Sequence, residues 1–549
     1  MNFSVKYIVL LISVLGIFSC TSYRNLPVPD YQVEALPERI DSGDLKLLGS
    51  SFLHKNEWGI WELYVEGDPL ERGMTTGNLT ENLIYKQEKV FVSKIEKFLP
   101  SKFQQWLVRN FLKIFNRKLH KYVTEEYQEE IYGISEFTSE EFEFVAPNYW
   151  RTLYFHAAHD IGHALQDLAM VGCTSFAAWG QNSEDGNLIL GRNFDFYINE
   201  EFAENKIIAF INPDEGFKHA IVTWPGFIGA VSGMNEKGLT VTLNAGKSSI
   251  PLVAKTPISL VAREILQYAE NFEQAVEIAK KREVFVAESI MVGSAEDNSA
   301  ILIEVSPKKF GVYQVENSAD LLVCSNHFQS EIYNSDKKNL KAIAESHSQY
   351  RFDRLNELIQ NNPPINPQIA ADFLRNKEGL DNLEIGFGNE KAINQLLSHH
   401  AVIFKPEDRL IWVSANPYQL GAFVAYDLDE VFKEMDKGKY IELNIRELTI
   451  PEDEFVHSSE FQNYLIFKKD LEKFSNSNEI ISEEEINSFI KLNPEFWKTY
   501  FVVGEYYFGQ KNYKKALENY KIALQKEITT VSDKELIQKR IKKSERKIK

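Results

Sequence analysis

The stretch from Val171 to Asp195, VGCTSFAAWGQNSEDGNLILGRNFD, sets a thiol, a guanidinium and a carboxylate within one predicted hairpin. Cys173 follows a glycine and opens a run, Thr174 to Trp179, that reads as a buried strand; Glu184, Asp185 and Gly186 signal a turn, and Leu188 to Leu190 begin the return. The hairpin carries the thiol back toward Arg192 and Asp195, where a nearby cation favours the reactive thiolate. A lone cysteine is more commonly a small buried hydrophobe, so the reading depends on what else the chain supplies.

Three further motifs follow in order. GMNEKGLTVTLNAG, Gly233 to Gly246, reads as turn, strand and strand end, with Asn244 placed to donate to an oxyanion or to hold substrate; an isolated asparagine there is otherwise a turn former. LLVCSNHF, Leu321 to Phe328, carries Asn326 beside His327. SHSQYRFDR, Ser346 to Arg354, starts a helix continuing to Ile359, with Arg351 in its first turn and Arg354 expected as a surface charge.

Together these four motifs resemble the cysteine-type N-terminal nucleophile (Ntn) hydrolases, the group containing penicillin acyltransferase and choloylglycine (bile salt) hydrolase. The resemblance covers about residues 60 to 430. In that group the proenzyme breaks itself just before a cysteine, and Gly172-Cys173 is the matching bond here. The resemblance implies Cys173 as nucleophile, Asn244 and Asn326 as oxyanion donors, Asp195 as the holder of the freed α-amine, and Arg192 and Arg351 as the groups that keep the thiol ionised and placed. A thiol titrates near ~8.5 and a free α-amino group near ~7.7 to 8.0, so a new terminus sets a usable base beside the nucleophile. His327 then reads as a cleft residue. The implied activity is cleavage of the amide bond of a small N-acyl substrate, by hydrolysis or by acyl transfer, with no cofactor and no metal.

The elements that must position these residues give an α+β reading. Strands, a helical pair at Pro257 to Tyr268 and Phe272 to Lys281, and strands again fit the four-layer αββα sandwich of the resembling family, over residues 173–437. Ahead of it, residues 35–172 read as a propeptide-like, mainly helical segment packed on the core, with a strand at Trp58 to Val65 and EGDPLERGMTTGNL (Glu66 to Leu79) as a glycine-punctuated turn leading to a helix; Phe227 to Ser232 is expected to continue the sheet. Residues 438–460 read as an acidic, proline-bearing linker. The helical region 461–549 follows, and Trp497 to Leu524 resembles one tetratricopeptide repeat, with Gly504 and Ala516 permitting close packing and the helices able to bind a protein partner.

At the other end, residues 1–19 have Lys6 before an apolar run, the pattern of a signal peptide, and Ile17 to Cys20 resembles a bacterial lipobox. Lipidation of Cys20 would tether the protein to a membrane surface through residues 20–34, facing the periplasm or the cell exterior. Three cysteines leave no disulfide framework, and Cys324 reads as a buried structural thiol. A formal net charge of -18 argues against nucleic acid as a partner.

Two rival readings stand beside this one. His156, His159 and His163, an HxxHDxxH pattern with Asp160, can be a metal site of a metal-dependent hydrolase, although no second carboxylate-rich segment completes the ligand set. A non-catalytic surface lipoprotein that binds a partner through its C-terminal helices is the other.

Overall fold

The computed structural model describes residues 28–549 apart from positions 34, 166–171, 197–199, 248–252, 317–318, 398, 438–439, 441 and 477–479. The expected signal peptide, Cys20 and most of the tether lie outside the described residues.

Eleven strands form the first sheet, in hydrogen-bonding order β1 (Ile40–Ser42), β2 (Leu45–Leu48), β3 (Ser51–Lys55), β4 (Trp61–Gly67), β7 (Ile207–Pro213), β8 (His219–Thr223), β9 (Ser232–Asn235), β10 (Leu239–Ala245), β11 (Glu288–Ser294), β12 (Ser299–Ser306) and β13 (Lys309–Tyr313). Seven form the second: β14 (Leu321–Cys324), β5 (Thr174–Ala178), β6 (Ile189–Phe194), β15 (His400–Lys405), β16 (Leu410–Ser414), β17 (Phe423–Asp427) and β18 (Asn444–Ile450).

Both sheets are apolar on both faces, and the period of two along each strand sorts their side chains into separate cores. On β7, Ile207, Ala209 and Ile211 face helices while Ile208 and Phe210 face the other sheet. On β15, Val402 and Phe404 face the first sheet while Ala401 and Ile403 face helices. The outer face of the first sheet is covered by helices Pro69–Phe98, Glu125–Ser135, Ile258–Tyr268 and Phe272–Lys281, and that of the second by Ser348–Asn361 and Pro367–Leu374. The result is the four-layer αββα sandwich.

Four expectations change. The segment 35–172 holds more than the one strand expected at Trp58 to Val65: it supplies β1 to β4, and β4 pairs in parallel with β7 from Trp61 opposite Ile207 to Gly67 opposite Pro213. The glycines at 73 and 77 lie inside a helix that starts at Pro69, capped by Asp68, whose Oδ1 accepts from Glu71 N at 2.9 Å. They serve close helix packing, since a Cβ on Gly73 would sit 2.2 Å from the Glu130 carbonyl oxygen. Phe227 does not continue the sheet; the turn at Trp224 to Gly226 folds its ring onto Trp224, centroids 4.1 Å apart. Part of the expected linker is β18, an edge strand whose exposed Arg446 and Glu447 gave it a polar look.

Beyond β18, helices Ser459–Asn476, Glu483–Leu492, Trp497–Gly509, Tyr513–Ala523 and Val531–Ile548 share an aromatic core that also takes in Leu396, Tyr418 and Leu420 from the sandwich. Gly504 gives room for the Tyr520 ring, which a Cβ there would meet at 2.5 Å.

Candidate active site

Cys173 stands immediately before β5 and is 1 % exposed. Thr174 pairs with Asn193 across β5 and β6, which puts Gly172 opposite Asp195, and the Gly172 N–H donates to the Asp195 carbonyl oxygen at 3.2 Å. Arg192, fully buried on β6, turns its guanidinium to the thiol: Nη2 lies 3.7 Å from Cys173 Sγ. The same group donates to Val231 O at 3.1 Å, to Ser232 Oγ at 2.7 Å and to Leu243 O, which locks it against rotation. Its face lies over the Phe194 ring, 4.4 Å from the centroid.

Arg351 arrives from the first turn of helix Ser348–Asn361 and takes hold of the main chain. Its Nη1 donates to Gly172 O at 2.8 Å, to Cys173 O at 2.7 Å and to Thr174 Oγ1, and its Nη2 donates to Asn326 Oδ1. Asn326 Nδ2 in turn donates to Ala245 O at 3.0 Å. Asn244 is tied to the adjoining sheet: Oδ1 accepts from Ser175 Oγ at 2.7 Å, and Nδ2 faces the carbonyls of Cys324 and Ser325, each at 3.3 Å. All six polar residues singled out in the sequence are thus buried: Arg351 bonds the Gly172 and Cys173 carbonyls and Asn326, Arg192 meets the thiol, the Asp195 carbonyl meets Gly172 N, and the Asn244 side chain bonds, among the described residues, only Ser175, Cys324 and Ser325.

The charges are shaped by burial. Desolvation pushes the Cys173 thiol up, and the Arg192 guanidinium works against it. Asp195 is pushed up to about 7, chiefly by burial, with Arg351, the Gln419 amide and Arg192 pulling it down. Gln419 Nε2 donates to Asp195 Oδ1 at 3.0 Å, while Asp195 Oδ2 has no hydrogen-bond partner among the described residues. Burial lowers Arg351 to about 10.

Other expectations resolve differently. His327 is nearly buried and shares Ser348 Oγ at 2.9 Å and Ser325 Oγ at 3.0 Å; burial lowers it to about 4. His156 spends both ring nitrogens on the main chain, at 2.8 Å from Thr152 O and accepting from Ile228 N at 3.0 Å. Neither is left for a metal. The Asp160 carboxylate accepts from Ile258 N at 2.8 Å, and the side chains at 159 and 163 lie outside the described residues. Cys324 is buried, as expected. Arg354, expected at the surface, is buried and bonded to Asn376, Asn382, Glu357 and Glu378.

Further side chains outside the four motifs also touch these residues. Gln395 Nε2 donates to Gly172 O at 2.8 Å from a loop 223 residues away in the chain. Ser232 Oγ can only accept from Arg192, so its proton is free for His400 Nε2 at 3.0 Å, and His400 Nδ1 then donates to His399 Nδ1 at 2.8 Å. The adjacent histidines at 399 and 400 were visible as a pair, but neither they nor Gln395 lie in a motif whose spacing points to Cys173.

The structure thus sets a cysteine at the head of a strand, inside an αββα sandwich, with one buried arginine at its thiol and another bonded to its main chain. Residues 181–416 match the family model described as "Acyl-coenzyme A:6-aminopenicillanic acid acyl-transferase". Over that stretch, which is less than half of the chain, the sequence is similar to this family, in line with the resemblance that the motifs carry. It is 26% identical over 359 residues to an uncharacterised protein of Archaeoglobus fulgidus, a match covering 59% of this chain and 58% of that one. It is 28% identical over 222 residues to the N-acylethanolamine-hydrolyzing acid amidase of Caenorhabditis elegans, covering 39% of this chain and 58% of the relative. The chain thus spans less than two thirds of the length of these relatives. Among solved structures it is similar to the conjugated bile acid hydrolase of Clostridium perfringens, with a TM-score of 0.32, 14% identity, and coverage of 47% of this chain and 93% of that one.

Proposed function

We propose that this protein is a self-processing Ntn-type cysteine amidohydrolase or acyltransferase that cleaves the amide bond of a small N-acyl substrate through a thioester on Cys173. The observation that carries the reading is the Oδ2 of buried Asp195, which has no hydrogen-bond partner among the described residues, in a residue opposite Gly172 and beside a thiol held by Arg192. An acceptor buried without a partner is costly. A free α-ammonium at Cys173 would fill it.

In this account the Gly172-Cys173 bond breaks first, because the thiol is buried in the continuous chain and no external amide can reach it. The α-amino group of Cys173 then takes the thiol proton, and the thiolate attacks the substrate carbonyl. The amine returns the proton to the leaving nitrogen, and water or a second amine resolves the thioester. Asn326, steered by Arg351, donates to the oxyanion. Asn244 joins it only by releasing one of its two carbonyl partners. The match to an N-acylethanolamine-hydrolyzing amidase supports an N-acyl amide as the substrate class. Export and lipidation at Cys20 belong to the same proposal.

Turnover of a panel of N-acyl amides tests it. Wild-type protein is expected to release free acid or transfer the acyl group, and Cys173→Ala to fall to background, with wild-type activity unchanged by a chelator. Activity that survives in Cys173→Ala and vanishes on chelation would transfer the chemistry to a metal.

A further inference from the structure

The Gly172 carbonyl oxygen accepts from two donors, Arg351 Nη1 and Gln395 Nε2, both at 2.8 Å. That oxygen belongs to the bond whose cleavage the proposed function requires, and the present inference rests on that reading. Donors at this distance from a carbonyl about to become tetrahedral form an oxyanion hole. The fit around Gln395 is close: a Cβ on Gly172 would lie 2.0 Å from its Nε2 and 2.4 Å from its Oε1, so glycine at 172 is what lets the amide reach the carbonyl.

Gln395 is itself 2 % exposed and fixed by its neighbours. Asn394 Nδ2 donates to Tyr418 O at 2.9 Å, and Asn394 Oδ1 accepts from Leu396 N at 2.9 Å. The C-terminal helices then grip this loop: Tyr464 Oη donates to Leu396 O at 3.3 Å, Asn389 Nδ2 to Glu527 O at 2.9 Å, and Asn493 Nδ2 to Phe387 O at 2.8 Å.

We propose that Gln395 is a catalytic residue of self-processing, completing with Arg351 an oxyanion hole at Gly172, and that the C-terminal helices serve to hold the loop that presents it. The step is an N-to-S acyl shift. Cys173 Sγ bonds to the Gly172 carbonyl carbon, and negative charge gathers on the oxygen facing Arg351 and Gln395. The bond to the Cys173 nitrogen then breaks, and the thiol proton ends on that nitrogen as the new α-amine. Water hydrolyses the thioester, leaving a Gly172 carboxylate and a free thiol.

The test follows the appearance of the fragment beginning at Cys173 in freshly folded full-length wild type, Gln395→Met and Gln395→Glu. Met keeps the length without a donor, and Glu has one only when protonated. Loss of one oxyanion donor slows processing by ~10²-fold or more. Both variants are expected to show this near neutral pH with melting temperatures near that of Cys173→Ala. On acidification the Gln395→Glu deficit relative to wild type should shrink while that of Gln395→Met stays constant. Processing of either variant within about threefold of wild type near neutral pH would overturn the assignment, as would parallel deficits at every pH accompanied by lowered melting temperatures. A wild-type chain that never cleaves would instead sink the underlying reading.

Discussion

Asp195 enters the fold with one carboxylate oxygen bonded to Gln419 and the other without a hydrogen-bond partner among the described residues, and burial raises it from 3.8 to about 7. A folded-state value above the unfolded one means that the fold binds the proton more tightly than the open chain does. The associated stability is complete below the unfolded value near ~4 and is lost as pH rises through about 7, a loss on the order of 4 kcal/mol. In a Cys173→Ala background, which keeps the chain continuous, Asp195→Asn should therefore flatten the fall in stability between pH 4 and pH 7, so that the double variant gains on its parent as pH rises. Melting temperatures across that range check it; parallel curves would contradict it. The types of these residues were legible in the sequence, because a thiol, two guanidiniums and a carboxylate in ordered motifs imply a reaction. Their partners were not. Gln395, Gln419, Ser232 and His400 reach the site from loops and strands whose approach is set only by tertiary packing.

At the level of elements, the helix Pro69–Phe98 crosses Glu125–Ser135 where Gly73 faces Glu130 and Gly133 faces Gly73. The same crossing holds a buried ion network, Arg72 to Glu130 at 3.1 Å and Arg263 to Glu130 at 3.3 Å, and Arg263 comes from the far side of the Gly172-Cys173 bond. Gly73→Ala must move main chain and should destabilise the protein by ~1 to 3 kcal/mol. Gly509→Ala, with nothing within 4 Å of its Cβ, should be neutral or stabilising. Denaturant midpoints separate the two, and equal effects would show that the crossing is not sterically limited at Gly73. Gly73 and Gly77 read as part of a turn in the sequence because the composition of a close helix crossing and that of a loop coincide. In the GMNEKGL segment the turn was read correctly. Asn235 Oδ1 accepts from Lys237 N and Leu239 N, both at 3.0 Å, and Gly238 takes φ +73.

Across the whole molecule, the segment ahead of Cys173 is built into the architecture. It supplies four strands of the first sheet, joined through β4 and β7, and pairs Arg72 and Glu130 with Arg263 in the core of the other part. Breaking a buried ion pair by removing one partner costs ~3 to 5 kcal/mol, and opening the sheet adds to that, so cleavage between Gly172 and Cys173 should leave the two chains bound. The alternating strands and helical pair made the sandwich legible from sequence. Of the strands before the nucleophile only β4 was legible, as the run Trp58 to Val65; β1 to β3 and β18 were not, because β1 is short and exposed and β18 is a polar edge. The most direct measurement is the intact mass and N-terminal sequence of purified wild-type protein beside Cys173→Ala. The account predicts a wild-type fragment starting at Cys173 that co-elutes with the preceding chain on size exclusion, and one continuous chain in the variant. A single uncleaved chain in both, from correctly folded protein, would contradict it.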